Sequence, residues 1–178
     1  ISGNLKVIFT GSLTKEKNCF DSLLDGEFIM HGKNKEVLYL YAAFDIYYFG
    51  GLQKGAHVRP LPFSTNDEAA LEDKYRLPLL KKFHAMCKLE TVTPDAKCEF
   101  HLRCKHFEQC IETEQSIYEA SASILGKVHE YEVDGLIFTP MDTGVGGDNP
   151  NEAAPLGKKF TWKRSFNGNR PNTTRSIS

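Results

Sequence analysis

Three short stretches of this sequence place charged side chains where chemistry could use them. Asp25-Gly26-Glu27 lies in LLDGEFI at 23–29, Asp134-Gly135 in EVDGLIFTP at 132–140, and Lys163 in FTWKRS at 160–165. Taken alone, an Asp-Gly pair is ordinarily a turn. A carboxylate inside an apolar, strand-like stretch is harder to dismiss. Desolvating an ionised group is costly, so such a carboxylate is placed for a partner: a metal, a lysine or a hydroxyl. Lys159, Lys163 and Arg164 bring positive charge near the C-terminal end. Lys105, in KCEFHLRCKHF at 97–107, is a further candidate cation, weighed against a plain solvated lysine.

The elements that must position these residues can be read from periodicity. Strands are expected over 5–10, within 22–31 (interrupted at Asp25-Gly26), over 37–48, 97–107, 133–139 and 159–164. Gly32-Lys33-Asn34-Lys35 reads as a hairpin turn, with a glycine and an asparagine suited to positive φ. Residues 11–18 and 142–155 read as loops. A helix is expected over 68–87, capped by Asn66 or Asp67 and kinked or split at Pro78. A second is expected over 108–127, with Ile111, Ile117, Ala120 and Ile124 inward. Strands outnumber helices and are not spaced as βαβ units, so the expected class is α+β with a mostly antiparallel sheet.

Composition narrows the classes. The chain has 178 residues, 40% of them apolar and 25% charged, with a formal net charge of −1. No global basic field argues for nucleic acid, so a polyanion site must be a local cluster. No apolar run reaches the roughly 18 residues that span a bilayer, and no membrane is expected. Five singly placed cysteines read as reduced thiols and an intracellular location. Cys98, His101, Cys104, His106 and Cys110 lack the close pairing of a structural zinc site and read as packing residues. The glycines at 144, 146 and 147 lack the Gly-Lys-Ser/Thr ending of a phosphate loop. Ile1 in place of Met, and the polar run 167–178, lead to the expectation of a piece of a longer polypeptide.

Taken in order, LLDGEFI, YLYAAFDIYYFG at 39–50, EVDGLIFTP and FTWKRS resemble the motifs of the covalent nucleotidyltransferase superfamily. That superfamily holds the mRNA guanylyltransferases of capping enzymes and the ATP- or NAD-dependent polynucleotide ligases. DGLIFTP and YAAFDIYYFGG are similar to the capping-enzyme forms, with a large-DNA-virus flavour. Ligases more often show E-G-x-V-x-K in the third position. The resemblance spans residues 23–165. It implies an ATP-grasp-like catalytic domain, incomplete here, over 1–165, with 166–178 a tail leading to an oligonucleotide-binding-fold domain. It also implies an intracellular site of action, cytoplasmic or, for a viral protein, a viral factory or virion.

The activity implied is transfer of GMP from GTP to an RNA 5′-diphosphate end through a lysine–GMP phosphoramidate. Mg2+ or Mn2+ and lysines would neutralise the phosphoryl charge. RNA triphosphatase and methyltransferase domains, on the same chain or a partner, are the implied companions. By the same resemblance Glu27 contacts the ribose or orients the lysine, and joins Asp134 in holding metal. Phe44 stacks on guanine, Asp134 helps deprotonate the lysine, and Lys163 meets the α-phosphate with Lys159 and Arg164 assisting. The K-x-D-G element that carries the nucleophile does not occur; Glu132-Val133-Asp134-Gly135 has glutamate in its place. The lysine is therefore expected before Ile1. The last element reads Thr161-Trp162-Lys163 where the family has K-x-K. Two other readings stand beside this one: a ligase adenylation domain, and a non-catalytic relative serving as a scaffold.

Overall fold

The computed structural model describes residues 11–52, 57–65, 72–92, 100–110 and 116–146, with the backbone of 161–162 and 175–176. In chain order the elements are β1 (Ser12–Thr14), β2 (Leu23–His31), β3 (Val37–Tyr48), α1 (Arg76–Met86), β4 (Leu89–Thr91), β5 (His101–Cys104), α2 (Ile117–Leu125), β6 (Thr161–Trp162) and β7 (Arg175–Ser176). Single 3-10 turns occupy Lys17–Cys19 and Glu72–Lys74. The architecture is mixed α+β, antiparallel-rich, with few helices. Its centre is the three-stranded sheet β2-β3-β5, where β2 and β3 run antiparallel and β5 joins β3 in parallel.

The β2–β3 hairpin closes where the sequence predicts, with Gly32 N donating to Glu36 O at 2.9 Å and Lys35 N to Gly32 O at 3.0 Å. The positive φ of the turn falls on Lys35 (65°), not on the glycine or asparagine. β2 runs unbroken through Asp25-Gly26. At Gly26 a Cβ would lie 2.8 Å from Ala42 O and 2.8 Å from the Tyr41 ring. Only glycine lets Tyr41 lie flat there and reach Leu24 O with its hydroxyl, at 3.2 Å.

Cross-strand partners share a face, so the register sorts the side chains. Tyr41 and Leu102 are partners, as are Ala43 and Cys104. These four point to the core, where Ala43, Ile46 and Phe49 meet Cys19, Val58 and the α1 residues Leu79, Leu80 and Phe83. Phe49 and Phe83 pack edge to face, centroids 6.0 Å apart. The row Glu27, Ala42, Arg103 belongs to the opposite face.

Several expectations are corrected. Residues 133–139, expected as a strand, have no regular structure and are mostly exposed. The alternation there finds no pairing partner among the described residues, and pattern without pairing does not make a strand. The helix expected over 108–127 is confined to Ile117–Leu125 by a capping box, in which Ser116 and Glu119 exchange side-chain-to-backbone bonds. Ile117 is exposed while Ala120 is buried. The helix expected over 68–87 is Arg76–Met86. Pro78 sits in its first turn, where N–H groups lack intrahelical acceptors, and so it does not kink the helix. The first N–H groups instead go to the loop: Arg76 N to Pro62 O at 3.0 Å and Leu77 N to Phe63 O at 2.8 Å. β1 and β4 form an antiparallel pair in stretches that did not read as strands. β6 and β7 pair likewise, which places a strand in the polar tail. The expected strand at 5–10 and the caps Asn66 and Asp67 lie outside the described residues.

Candidate nucleotide site

The pairing of β3 with β2 slips at three places, and the middle one falls within the Asp25-Gly26-Glu27 element. Asp25 pairs with Asp45, yet the next residue, Gly26, pairs with Ala43. Phe44 is therefore the extra residue of a β-bulge. Bulges re-aim a side chain and are common beside functional sites. Here the bulge leaves Phe44 half-buried while its neighbours Ala43 and Asp45 are buried.

Lys105 follows β5 directly and is held in register by its N–H, which donates to Ala43 O at 2.7 Å. Its Nζ lies 2.7 Å from Glu27 Oε2 and 5.7 Å from the centroid of the Phe44 ring. The second distance is within cation–π range. The Lys105 side chain is 24% exposed and that of Glu27 56%, so the group sits at an open, wet rim. Arg103, two residues before Lys105 and therefore on the same face, pairs with Glu130. Ala42, in register with both Glu27 and Arg103, is 2% exposed and lies covered between them.

The structure thus brings together Glu27 and Phe44, both expected from sequence, with Lys105, which the sequence marks only as a candidate cation. It does not bring Asp134 into contact with them. Asp134 is exposed, and among the described residues its carboxylate has no hydrogen-bond or ion-pair partner. Its segment is tied at Glu130, whose carbonyl accepts from Lys33 N at 2.9 Å, and at Met141, whose carbonyl accepts from Ser64 N at 3.0 Å. Asp134 is four residues past Glu130, a reach of at most about 14 Å. Lys163, Lys159 and Arg164 lie outside the described residues.

Two further carboxylates flank the site. Asp25 accepts from Tyr47 Oη at 2.6 Å and from Gly26 N at 2.9 Å. Burial, then this bond to Asp25, holds the Tyr47 phenol well above its ordinary range. Asp45 is buried and gripped by Arg76 through two bonds, Nε to Oδ1 at 2.8 Å and Nη2 to Oδ2 at 3.1 Å. Arg76 is 1% exposed. Neither it nor Arg103 stands out in the sequence, since partners that face each other across strands and loops carry no local spacing.

No three His, Cys, Asp or Glu side chains converge as a metal-holding group among the described residues. Glu27 is committed to Lys105, which leaves Asp134 as the expected ligand with an unengaged carboxylate. A hard divalent ion takes about six or more oxygen ligands, so one carboxylate could hold it only together with oxygens from a ligand or water. No described helix is long and apolar enough to cross a membrane. Searches of protein-family models, curated proteins and solved structures returned no match to this chain.

Proposed function

We propose that this chain is the nucleotide-binding part of an mRNA guanylyltransferase of the covalent nucleotidyltransferase type. The observation that carries the reading is the convergence of Glu27, Phe44 and Lys105 on one face of the central sheet. The first two are expected on family resemblance to serve the ribose and the base, and nothing in their sequence spacing requires them to meet the same lysine. A base stacking on Phe44 would take the ring face that the Lys105 ammonium now lies over, and the ammonium would move to the base's edge. An ammonium donates and cannot accept, so it favours the two-acceptor O6/N7 edge of guanine over adenine, whose N7 acceptor adjoins an amino donor. Glu27 is an acceptor suited to ribose hydroxyls.

In the reaction a lysine from outside these 178 residues forms an N–P bond to the GTP α-phosphorus. The bond to the bridging oxygen breaks, pyrophosphate leaves, and the ammonium proton passes to a nearby base. Asp134 would contribute to holding Mg2+ or Mn2+, which would neutralise phosphoryl oxygens. Lys163, with Lys159, would serve the α-phosphate. The GMP would then pass to an RNA 5′-diphosphate end.

The test is label transfer from α-labelled GTP and, in parallel, ATP, using a polypeptide that joins this chain to its K-x-D-G lysine. Labelling from GTP alone that survives denaturation and alkali but is lost on heating in acid, as a P–N bond requires, supports the proposal. Labelling from ATP alone identifies a ligase domain. Guanine-nucleotide binding without any labelling identifies a non-catalytic relative.

A further inference from the structure

The guanidinium of Arg76 joins three segments of the chain. Nε and Nη2 hold Asp45, the residue after the bulged Phe44. Nη1 donates to Leu61 O and, at 3.2 Å, to Thr143 O. The group also lies over the Phe63 ring, 5.4 Å from its centroid. Loops 57–65 and 141–146 are stitched to each other around it: Ser64 N to Met141 O at 3.0 Å and Val145 N to Arg59 O at 2.7 Å. The segment carrying Asp134 ends at this knot.

A buried ion pair is weak evidence of stabilisation in itself, because desolvation offsets most of the attraction. Its planar, two-bond geometry, by contrast, fixes position. The position fixed here is that of a bulge, where the strand ladder is locally broken and cannot by itself set the direction of Phe44. We propose that Arg76 is a positioning residue for the nucleotide site. Through Asp45 it aims Phe44, and through Thr143 O it anchors the C-terminal end of the Asp134 segment. This proposal rests on the nucleotide reading for its purpose, but not for its geometry.

The experiment places a single indole at position 44, using Phe44→Trp in a Trp162→Phe background. Arg76→Lys and Asp45→Asn are compared in that background with Leu79→Ala, a core truncation in α1 that leaves the pair intact. Arg76→Lys keeps the charge and loses the fork, so it remains usable where Asp45→Asn does not fold. The expected result is a red-shifted indole emission with stronger acrylamide quenching in the Arg76 and Asp45 variants. Faster amide exchange in peptides covering Ser64 and Val145 should accompany it. Leu79→Ala at equal loss of Tm should leave the emission unchanged. An unchanged indole emission and unchanged exchange in folded Arg76→Lys would overturn the proposal. Quenching of the same indole by added GTP in the parent is read separately. Its absence counts against the nucleotide reading, while the emission and exchange results still decide the role of Arg76.

Discussion

Glu27 Oε2 and Lys105 Nζ lie 2.7 Å apart although 78 residues separate them in the chain. The pair bridges the two edge strands across β3, above Ala42 and beside Phe44. Both side chains are partly exposed. Pairs of this kind contribute about 0–1 kcal/mol to stability, so the contact matters more for what it places together than for holding the sheet.

Lys105→Met follows directly. The variant should lose discrimination between GTP and ATP in binding or labelling, because the donor facing the base edge is gone. Its unfolding free energy should fall by no more than about 1 kcal/mol. Competition titration with both nucleotides, alongside urea denaturation, checks the two halves. Intact discrimination would remove Lys105 from the site.

Asp45 behaves differently. Asp45→Ala leaves the Arg76 guanidinium buried and unpaired, and the expected loss is about 3–5 kcal/mol. The double variant Asp45→Ala/Arg76→Met should recover part of it, since the stranded charge is removed as well. Equilibrium denaturation of the singles and the double closes the cycle. Additive losses would contradict a tightly coupled pair.

Asp134→Asn should separate chemistry from folding. The carboxylate is exposed and unpartnered among the described residues, so Tm should stay level. Adduct formation from GTP, in a polypeptide carrying the lysine, should drop on the order of a hundredfold. A full adduct yield would show that Asp134-Gly135 is only a loop dipeptide.

Glu108 gives a pH signature. It accepts from Lys127 Nζ and from His106 Nε2, both at 2.8 Å, and from Ser123 Oγ at 3.2 Å. The Lys127 bond first, then the His106 bond, hold its carboxyl down to about 2 from an ordinary 4.5. A depressed folded value stabilises above the unfolded value and is lost as pH falls through the folded one. Tm should therefore decline from about pH 4.5 toward pH 2, and Glu108→Gln should flatten that stretch of the profile. Superimposable profiles would show that the three contacts do not persist in solution.

Gly26→Ala tests the close approach in the Asp25-Gly26-Glu27 element. The new methyl would fall 2.8 Å from both Ala42 O and the Tyr41 ring. Relief requires moving backbone or a packed ring, and the expected cost is about 1–3 kcal/mol. Unchanged thermal stability would mean that the β2–β3 pairing there is looser than drawn.

Legibility in the sequence followed the range of the interactions. β2, its turn and β3 were readable because alternation and turn chemistry are local. Glu27 and Phe44 stand out in the sequence because they sit in strand motifs, but their common approach to Lys105 does not. The bulge at Phe44 was not, since it is a property of pairing between two strands. Nor was Arg76, whose partners come from positions 45, 61 and 143. The VDGLIFT stretch misled because strand-like alternation says nothing about whether a partner edge is available. Lys105 was legible as a cation on an alternating stretch, but its partners depend on the parallel docking of β5, which no periodicity encodes.

That parallel docking has a consequence for the order of assembly. The β2–β3 hairpin closes over a short turn, whereas β3 meets β5 by pairing Leu40 with His101. Long-range pairing bears its loop-closure entropy before any contact rewards it, and is correspondingly slow. Glu27 and Phe44 should thus be neighbours early in refolding, with Lys105 arriving last. A nascent chain would leave Glu27 without its cation until residue 105 has been made and β5 has docked. The Glu27–Lys105 ion pair then reports that the whole central sheet has formed.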